Sequence, residues 1–344
     1  MAEEAAAPAT HQDLGNADST QSTHTDILPP WTEASTKQRF RLGFYYSMVY
    51  LPVVILLFVI SSSYPVYVFL YVWPTALGGD DRPELYYWHS HAEHVRARVI
   101  GSVCWFLSTL FLVMFVCSFY QAFSTSPGDV PSSEDWTDVR NAERLALKEK
   151  KHSNGGTRQC RRCIIVKPDR CHHCRLCDRC VLKMDHHCPW IANCVGFFNY
   201  KYFFLMLTYG MLGLWLFEGT FWETVLITWR DDERGAGASF TVTSIFFLFG
   251  ILMSAVTLFW SFHVYLMVSG LTTIEYCEKK KKTTKEFKAP YYGSTYEALQ
   301  GALGKDPWKW PSPFSYREPE EDGLGFSQSS DQESVVTLEA AAPQ

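Results

Sequence analysis

Four stretches of the chain carry almost no charge, and the polar residues gather between them and at the two ends. Leu42 to Gly79 and Val99 to Gly128 contain no Asp, Glu, Lys or Arg. Tyr202 to Phe217 is equally apolar, with Glu218 and Glu223 near its far end. Ala236 to Ile274 holds one ionisable side chain, His263. A helix of about 20 apolar residues crosses the ~30 Å hydrocarbon core of a bilayer. Each stretch therefore predicts one transmembrane helix: residues 43–73, 99–123, 202–227 and 240–268. Pro52 and Pro65 predict a bend in the first, and Glu218 in the third is either a buried partner or a residue at the membrane edge. The connections at 74–98 and 228–239 are short and charge-mixed, and the one at 124–201 is long and basic. Residues 1–36 and 315–344 are polar and poor in aromatics, which predicts disordered tails.

Basic residues orient these helices. Arg140, Arg144, Lys148, Lys150, Lys151, Arg158, Arg161 and Arg162 fall between the second and third stretches. Lys37, Arg39 and Arg41 precede the first, and Lys279 to Lys282 follow the fourth. Cytoplasmic loops carry the Lys/Arg excess, so both termini and the long connection are expected in the cytosol. The net charge of −5 does not change this, because acidic tails offset a basic juxtamembrane surface.

The chemistry concentrates in the long connection. Cys160 to Cys194 reads C-RR-C-IIVKPDRCHHC-RL-C-DR-C-VLKMDHHC-PWIAN-C and contains most of the 11 cysteines. In a reducing cytosol such cysteines are ligands or nucleophiles rather than disulfides. Repeated C-x2-C steps set two sulfurs about one metal, and thiolate with imidazole is a preferred donor set for zinc. Two closed tetrahedral sites take eight of these Cys and His groups and leave four for chemistry. Asp185-His186-His187-Cys188 supplies a thiol, an imidazole and a carboxylate in consecutive residues. A nearby histidine raises the thiolate fraction of a thiol whose reference pKa is about 8.5, and a carboxylate can hold the imidazole in the useful tautomer.

That quartet, with Pro189-Trp190 after it and Asn193-Cys194-Val195-Gly196 and Asn199 beyond, resembles the signature of the DHHC-type protein S-acyltransferases. Cys160-x2-Cys163 and Lys167-Pro168-Asp169-Arg170 to His173-Cys174 are similar to that family as well. The likeness covers the cysteine-rich block, 158–200, without a gap. Ser126-Pro127-Gly128 after the second span is similar to its Pro-Gly motif, and Thr272-Thr273-x-Glu275 after the fourth matches its TTxE motif. Pro290-Tyr291-Tyr292-Gly293, Leu303-Gly304 and Trp308 to Pro311 resemble its C-terminal motif, without the Asn that usually precedes Leu-Gly.

Pattern and resemblance together give an all-α polytopic membrane protein. Four transmembrane helices enclose a cytosolic cysteine-rich double-zinc domain between helices 2 and 3, and a C-terminal region, 269–314, carries the TTxE motif. The resemblance implies two interleaved structural Zn2+ sites: Cys160, Cys163, His173 and Cys180 in one, Cys174, Cys177, His187 and Cys194 in the other. It implies Cys188 as nucleophile, His186 as its base and Asp185 as the orienting carboxylate. Thr272, Thr273, Glu275 and Asn193 are the implied supporting residues. Trp190 packs either against the thioester end of the acyl chain or beside zinc. Cys171 is a solvent-facing spectator thiol, an alternative ligand or a regulatory thiol.

The implied reaction takes a long-chain acyl group, palmitoyl foremost, from acyl-CoA through an acyl-cysteine intermediate to protein substrates with membrane-proximal cysteines. The implied setting is the bilayer of an endomembrane: Golgi, ER, vacuole or plasma membrane. No nucleic acid partner is expected. The acyl chain would lie in a cavity between the spans, where Ser63, Gly210 and Gly213 are small enough to line it; close helix packing accounts for them equally well. Lys167, Arg170 and His172 either contact the CoA phosphates or form a solvated basic face. A zinc-bearing scaffold and a transporter are the competing classes. A scaffold needs no spare thiol, and the spans lack the buried charges and internal repeat of a transporter.

Overall fold

The computed structural model describes residues 36–77, 91–131, 133–138, 147, 149, 156–231, 235–280, 291–315 and 323–324. The tails expected at 1–36 and 315–344 lie outside the described residues, apart from Thr36, Ser315, Gly323 and Leu324. Helix α1 (Thr36–Tyr67) continues through a π-helical turn, Val68–Val72, into α2 (Trp73–Leu77). Pro52 and Pro65 lie inside α1. Proline removes an i→i−4 hydrogen bond, and the widened turn begins just past Pro65. The ladder is locally reset there and the helix carries on.

Helix α3 (His91–Ser124) is followed by the single turn α4 (Glu134–Thr137), and α5 (Tyr200–Arg230) and α6 (Gly235–Val268) complete the long helices. Val49–Ala76, Val95–Ser124, Tyr200–Arg230 and Gly235–Val268 are long and apolar enough to cross a membrane. The helices overrun the windows read from hydropathy: α3 starts at His91, α5 runs to Arg230 and α6 starts at Gly235. A helix satisfies its own backbone on either side of the hydrocarbon boundary, so a hydropathy window understates its length. Glu218 is consequently not at an edge. It is buried well inside α5 and faces Gly250 of α6, where an added Cβ would lie 2.9 Å from Oε1.

Helix α5 is the hub. It packs on both α3 and α6, and 33 % of its apolar window is buried, against 6 to 11 % in the other three. Lipid removes the hydrophobic drive for helices to associate, which leaves packing and hydrogen bonds. Tyr67 bonds Thr220 across 2.9 Å, and Trp260 Nε1 donates to Thr208 Oγ1 at 3.0 Å.

Between α3 and α5 the cysteine-rich block folds as three antiparallel hairpins. Strand β1 (Gln159–Cys160) pairs with β2 (Ile165–Val166), β3 (His172–Cys174) with β4 (Arg179–Val181), and β5 (His186–Cys188) with β6 (Asn193–Val195). Strands this short do not hold together alone. Ile164, a β-branched residue at φ 54° just after Cys163, is a conformation that persists only when its surroundings impose it. Two short helices, α7 (Thr273–Lys280) and α8 (Thr295–Leu303), follow α6.

Candidate active site and metal centres

The hairpins sort the ligands. The β3–β4 register sets His173 opposite Cys180, and the β5–β6 register sets His187 opposite Cys194. Successive side chains of a strand point to opposite faces, so the neighbours His173 and Cys174 serve different clusters. Each C-x2-C step folds its second amide back on the first sulfur: Cys163 N and Cys177 N donate to Cys160 Sγ and Cys174 Sγ, both at 3.4 Å. Cys160, Cys163, His173 and Cys180 form one group of donors and Cys174, Cys177, His187 and Cys194 the other, with all donor atoms of each group within 4.8 Å. His173 Nδ1 lies 3.3 Å from Cys163 Sγ, and His187 Nδ1 lies 3.3 Å from Cys177 Sγ. Zinc bonds of about 2.0–2.3 Å to four such donors fit these separations. The exposed carboxylate of Asp178 lies 3.5 Å from His173 Nε2 without forming a hydrogen bond to it. Cys171 does not face solvent, as a spectator thiol would: it is fully buried and packs beside Cys160 and Cys180 without belonging to either group of four.

The same alternation along β5 separates the two histidines of the quartet. His187 turns to the metal group, while His186 and Cys188 share the opposite face. Asp185, 1 % exposed, accepts from His186 Nδ1 at 2.7 Å through Oδ2. It also accepts from the Thr273 hydroxyl at 2.7 Å and the Thr273 amide at 2.9 Å. This geometry leaves His186 Nε2 for a reacting proton. Burial works to raise the Asp185 pKa, but the bond and charge of His186, with Thr273, hold it below the usual carboxylate value. Burial works to lower the His186 pKa, but the bond to Asp185 and the adjacent Cys188 lift it to about 9.

Thr273 is the first residue of α7, and the capping of that helix aims it. Thr272 Oγ1 accepts from Glu275 N at 3.2 Å while Glu275 Oε2 accepts from Thr272 N at 3.0 Å, the reciprocal bonding of a capping box. The Glu275 carboxylate also accepts from Arg170 Nε at 2.7 Å and Nη2 at 2.8 Å. Arg170 Nη2 reaches Gly270 O at 2.9 Å, and the guanidinium lies 4.7 Å from the Tyr291 ring centroid. Arg170 was expected among the CoA contacts, but the structure corrects this. The side chain is fully buried and directed at Glu275, away from any surface a phosphate could meet. Lys167 and His172 are half-buried on the block. Burial, then Arg158 and Lys167, push the His172 pKa down to about 4.

Two asparagines lock the block onto the end of α3. Asn193 Nδ2 donates to the carbonyls of Ala122, Phe123 and Thr125, at 3.0 Å for Thr125, and its Oδ1 accepts from Cys194 N at 2.9 Å. Asn199 Nδ2 donates to Cys194 O at 2.8 Å and Ala122 O at 3.2 Å. These bonds satisfy the orphan carbonyls of a helix end. Pro127 O accepts from Phe198 N, and a Cβ on Gly196 would come within 2.7 Å of that oxygen. Two lysines bond the C-terminal segment. Lys183 Nζ donates to Tyr292 OH and Gly301 O at 3.0 Å each, and Lys201 Nζ to Lys309 O and Ser315 Oγ at 2.8 Å each.

A cavity of about 470 Å³ opens beneath Cys188 and Trp190. Trp190 is half exposed at its mouth. Ser63, Gly210 and Gly213 are all among its walls, and Ser61, Ser62 and Ser63 each donate to the backbone of their own helix. The walls run along α5 from Phe203 to Phe217, about 21 Å of helix at 1.5 Å per residue. That exceeds half of the ~30 Å hydrocarbon core. An added Cβ on Gly210 would meet Phe115 at 3.2 Å, while at Gly213 the nearest atom is 4.0 Å away. The spacing pattern offered no sign of the Arg170–Glu275 pair or of the lysine contacts, because their partners are about a hundred residues apart in the chain.

The family profile described as DHHC palmitoyltransferase matches residues 153–280. "Probable protein S-acyltransferase 15" of Arabidopsis thaliana is 37 % identical over 188 residues, covering 51 % of this chain and 71 % of the relative. "Probable protein S-acyltransferase 14" of the same plant is 34 % identical over 249 residues, covering 64 % and 76 %. "Palmitoyltransferase ZDHHC2" of Mus musculus is 32 % identical over 192 residues, covering 50 % and 52 %, so the match spans about half of that relative.

Proposed function

Because the chain belongs to the DHHC palmitoyltransferase family, we propose that it transfers a long-chain acyl group from acyl-CoA to cysteine thiols of proteins at the cytosolic face of a membrane. The observation that carries this reading is Cys188 at the mouth of a membrane-depth cavity, on the same strand face as a histidine bonded to a buried carboxylate. His186 Nε2 takes the thiol proton, and the Cys188 sulfur attacks the thioester carbonyl. The bond from that carbonyl carbon to the CoA sulfur breaks, and CoA leaves with the proton returned by His186. In the second step His186 takes the proton of a substrate cysteine, whose sulfur attacks the acyl-Cys188 thioester. Cys188 leaves as thiolate and recovers the proton.

The metal groups hold this geometry without entering it. Zinc bound by Cys174, Cys177, His187 and Cys194 would tie the β5–β6 hairpin, which carries His186 and Cys188, to the β3–β4 hairpin. The acyl chain lies in the cavity and the CoA head stays in water, where Lys167 and His172 remain candidates for its phosphates. The basic connections favour cytosolic termini, and substrates then need cysteines within reach of the bilayer surface. The host compartment is an endomembrane.

Intact-mass spectrometry of the full-length protein with palmitoyl-CoA tests the reading. One hydroxylamine-labile acyl adduct is expected, absent in Cys188→Ser. A zinc-loaded protein that gains no adduct would refute the enzyme, and equal loading of the variant would move the nucleophile elsewhere.

A further inference from the structure

One buried ionisable side chain next to the catalytic pair has no part in the steps above. His263 sits near the end of α6 and is 1 % exposed. Its ring centroid is 5.8 Å from that of His186. Donor and acceptor atoms of Asp185, His186 and His263 all lie within 4.8 Å of one another. The other faces of the ring are apolar: Phe203 at 5.1 Å and Phe259 at 4.7 Å, both edge-on, and both walls of the cavity. Nδ1 lies 3.4 Å from the Tyr200 hydroxyl, and Nε2 has no hydrogen-bond partner among the described residues. A buried polar atom without a partner in a well-packed site calls for a reason.

We infer that His263 is a positioning residue for acyl transfer. It backs the Asp185–His186 pair from the membrane side, holds the His186 ring over Cys188, and presents a polar imidazole to charge that forms on His186. The argument rests on the acyltransferase reading. When His186 takes a proton, its new charge stands against the Phe203 ring, 5.1 Å away, and the His263 ring. A fixed dipole aimed at developing charge is worth more in such a water-poor site than in solvent, because it needs no reorganisation. Phenylalanine at this position would preserve the packing and remove that dipole. Glutamine would keep a polar atom at the reach of Nε2.

The test is the single-turnover rate of acyl-enzyme formation from palmitoyl-CoA by the full-length protein in detergent micelles, with zinc content and melting temperature measured alongside. His263→Phe is expected to slow loading at saturating palmitoyl-CoA on the order of 10-fold, less than the ~10²–10³ of a group that touches the reacting atoms. The half-saturating concentration should not change, and His263→Gln should load near the wild-type rate. His263→Leu stands in if the Phe variant loses its zinc. Unimpaired loading by the apolar variants, or a Gln variant as slow as they are, would overturn the inference, since the residue would then only fill space. Wild-type protein that does not load at all would instead refute the acyltransferase reading itself.

Discussion

In the block between α3 and α5, strands of two or three residues bring together two Cys/His groups that could each hold a metal, and side chains such as Asn193 bond the backbone of α3. In the spans, helices of 31 to 34 residues satisfy their own backbones and touch one another through a few hydroxyls and rings. One region has its stability localised in identifiable atoms, so single substitutions there should be severe. The other has it spread along apolar length, so single substitutions should change the shape of a cavity more than the existence of a helix. The Asp185–His186 pair stands at the seam, with Asp185 held by Thr273 from beyond the last span.

Metal removal should separate the two regions most sharply. Chelation of the full-length protein, or Cys180→Ala, is expected to unfold the block, because structural zinc contributes about 10–16 kcal/mol of folding free energy in small modules. Far-UV circular dichroism should retain the helical signal of the spans while acyl loading disappears. Helix content lost in step with zinc would show instead that the two regions fold as one.

Glu275→Ala should come next. It leaves Arg170 buried without its carboxylate, a loss of about 3–5 kcal/mol, and it releases the cap that aims Thr273. The thermal midpoint for loss of loading should fall steeply. Replacing both partners, Arg170→Met with Glu275→Leu, should restore most of the midpoint without restoring the rate.

The pH dependence follows from His186. Its folded pKa of about 9 lies above the ordinary histidine value of about 6.5. The stabilisation is therefore complete below pH ~6.5 and is lost as the pH rises through about 9. The melting temperature of wild type should fall across that window, and Asp185→Asn should flatten the slope. An equal slope in both proteins would remove the Asp185–His186 bond as its cause.

The smallest effect concerns the cavity. Gly213 has open space at its Cβ position, so Gly213→Phe should shorten the cavity with little cost to folding. Loading of stearoyl-CoA should drop about 10-fold relative to myristoyl-CoA, the scale at which methylene-sized differences in an apolar pocket discriminate. Gly210→Ala, already 3.2 Å from Phe115, should shift helix packing instead. Unchanged chain-length preference in Gly213→Phe would leave close packing as the role of both glycines.

Sequence alone determined four apolar stretches, a block of Cys and His ligand candidates and the Asp185-His186-His187-Cys188 quartet, while the division into two groups of four was implied by the family resemblance. The physical reason is that hydropathy and C-x2-C spacing are local properties that a linear pattern records. Only the tertiary structure decided that Arg170 is buried against Glu275, that Glu218 lies inside the bundle, that Lys183 and Lys201 dock the C-terminal segment, and that His263 stands beside His186. Each of these depends on which distant segments meet. A side chain's role there is set by the partner it finds on folding, and its own type and neighbours in the chain do not encode that partner.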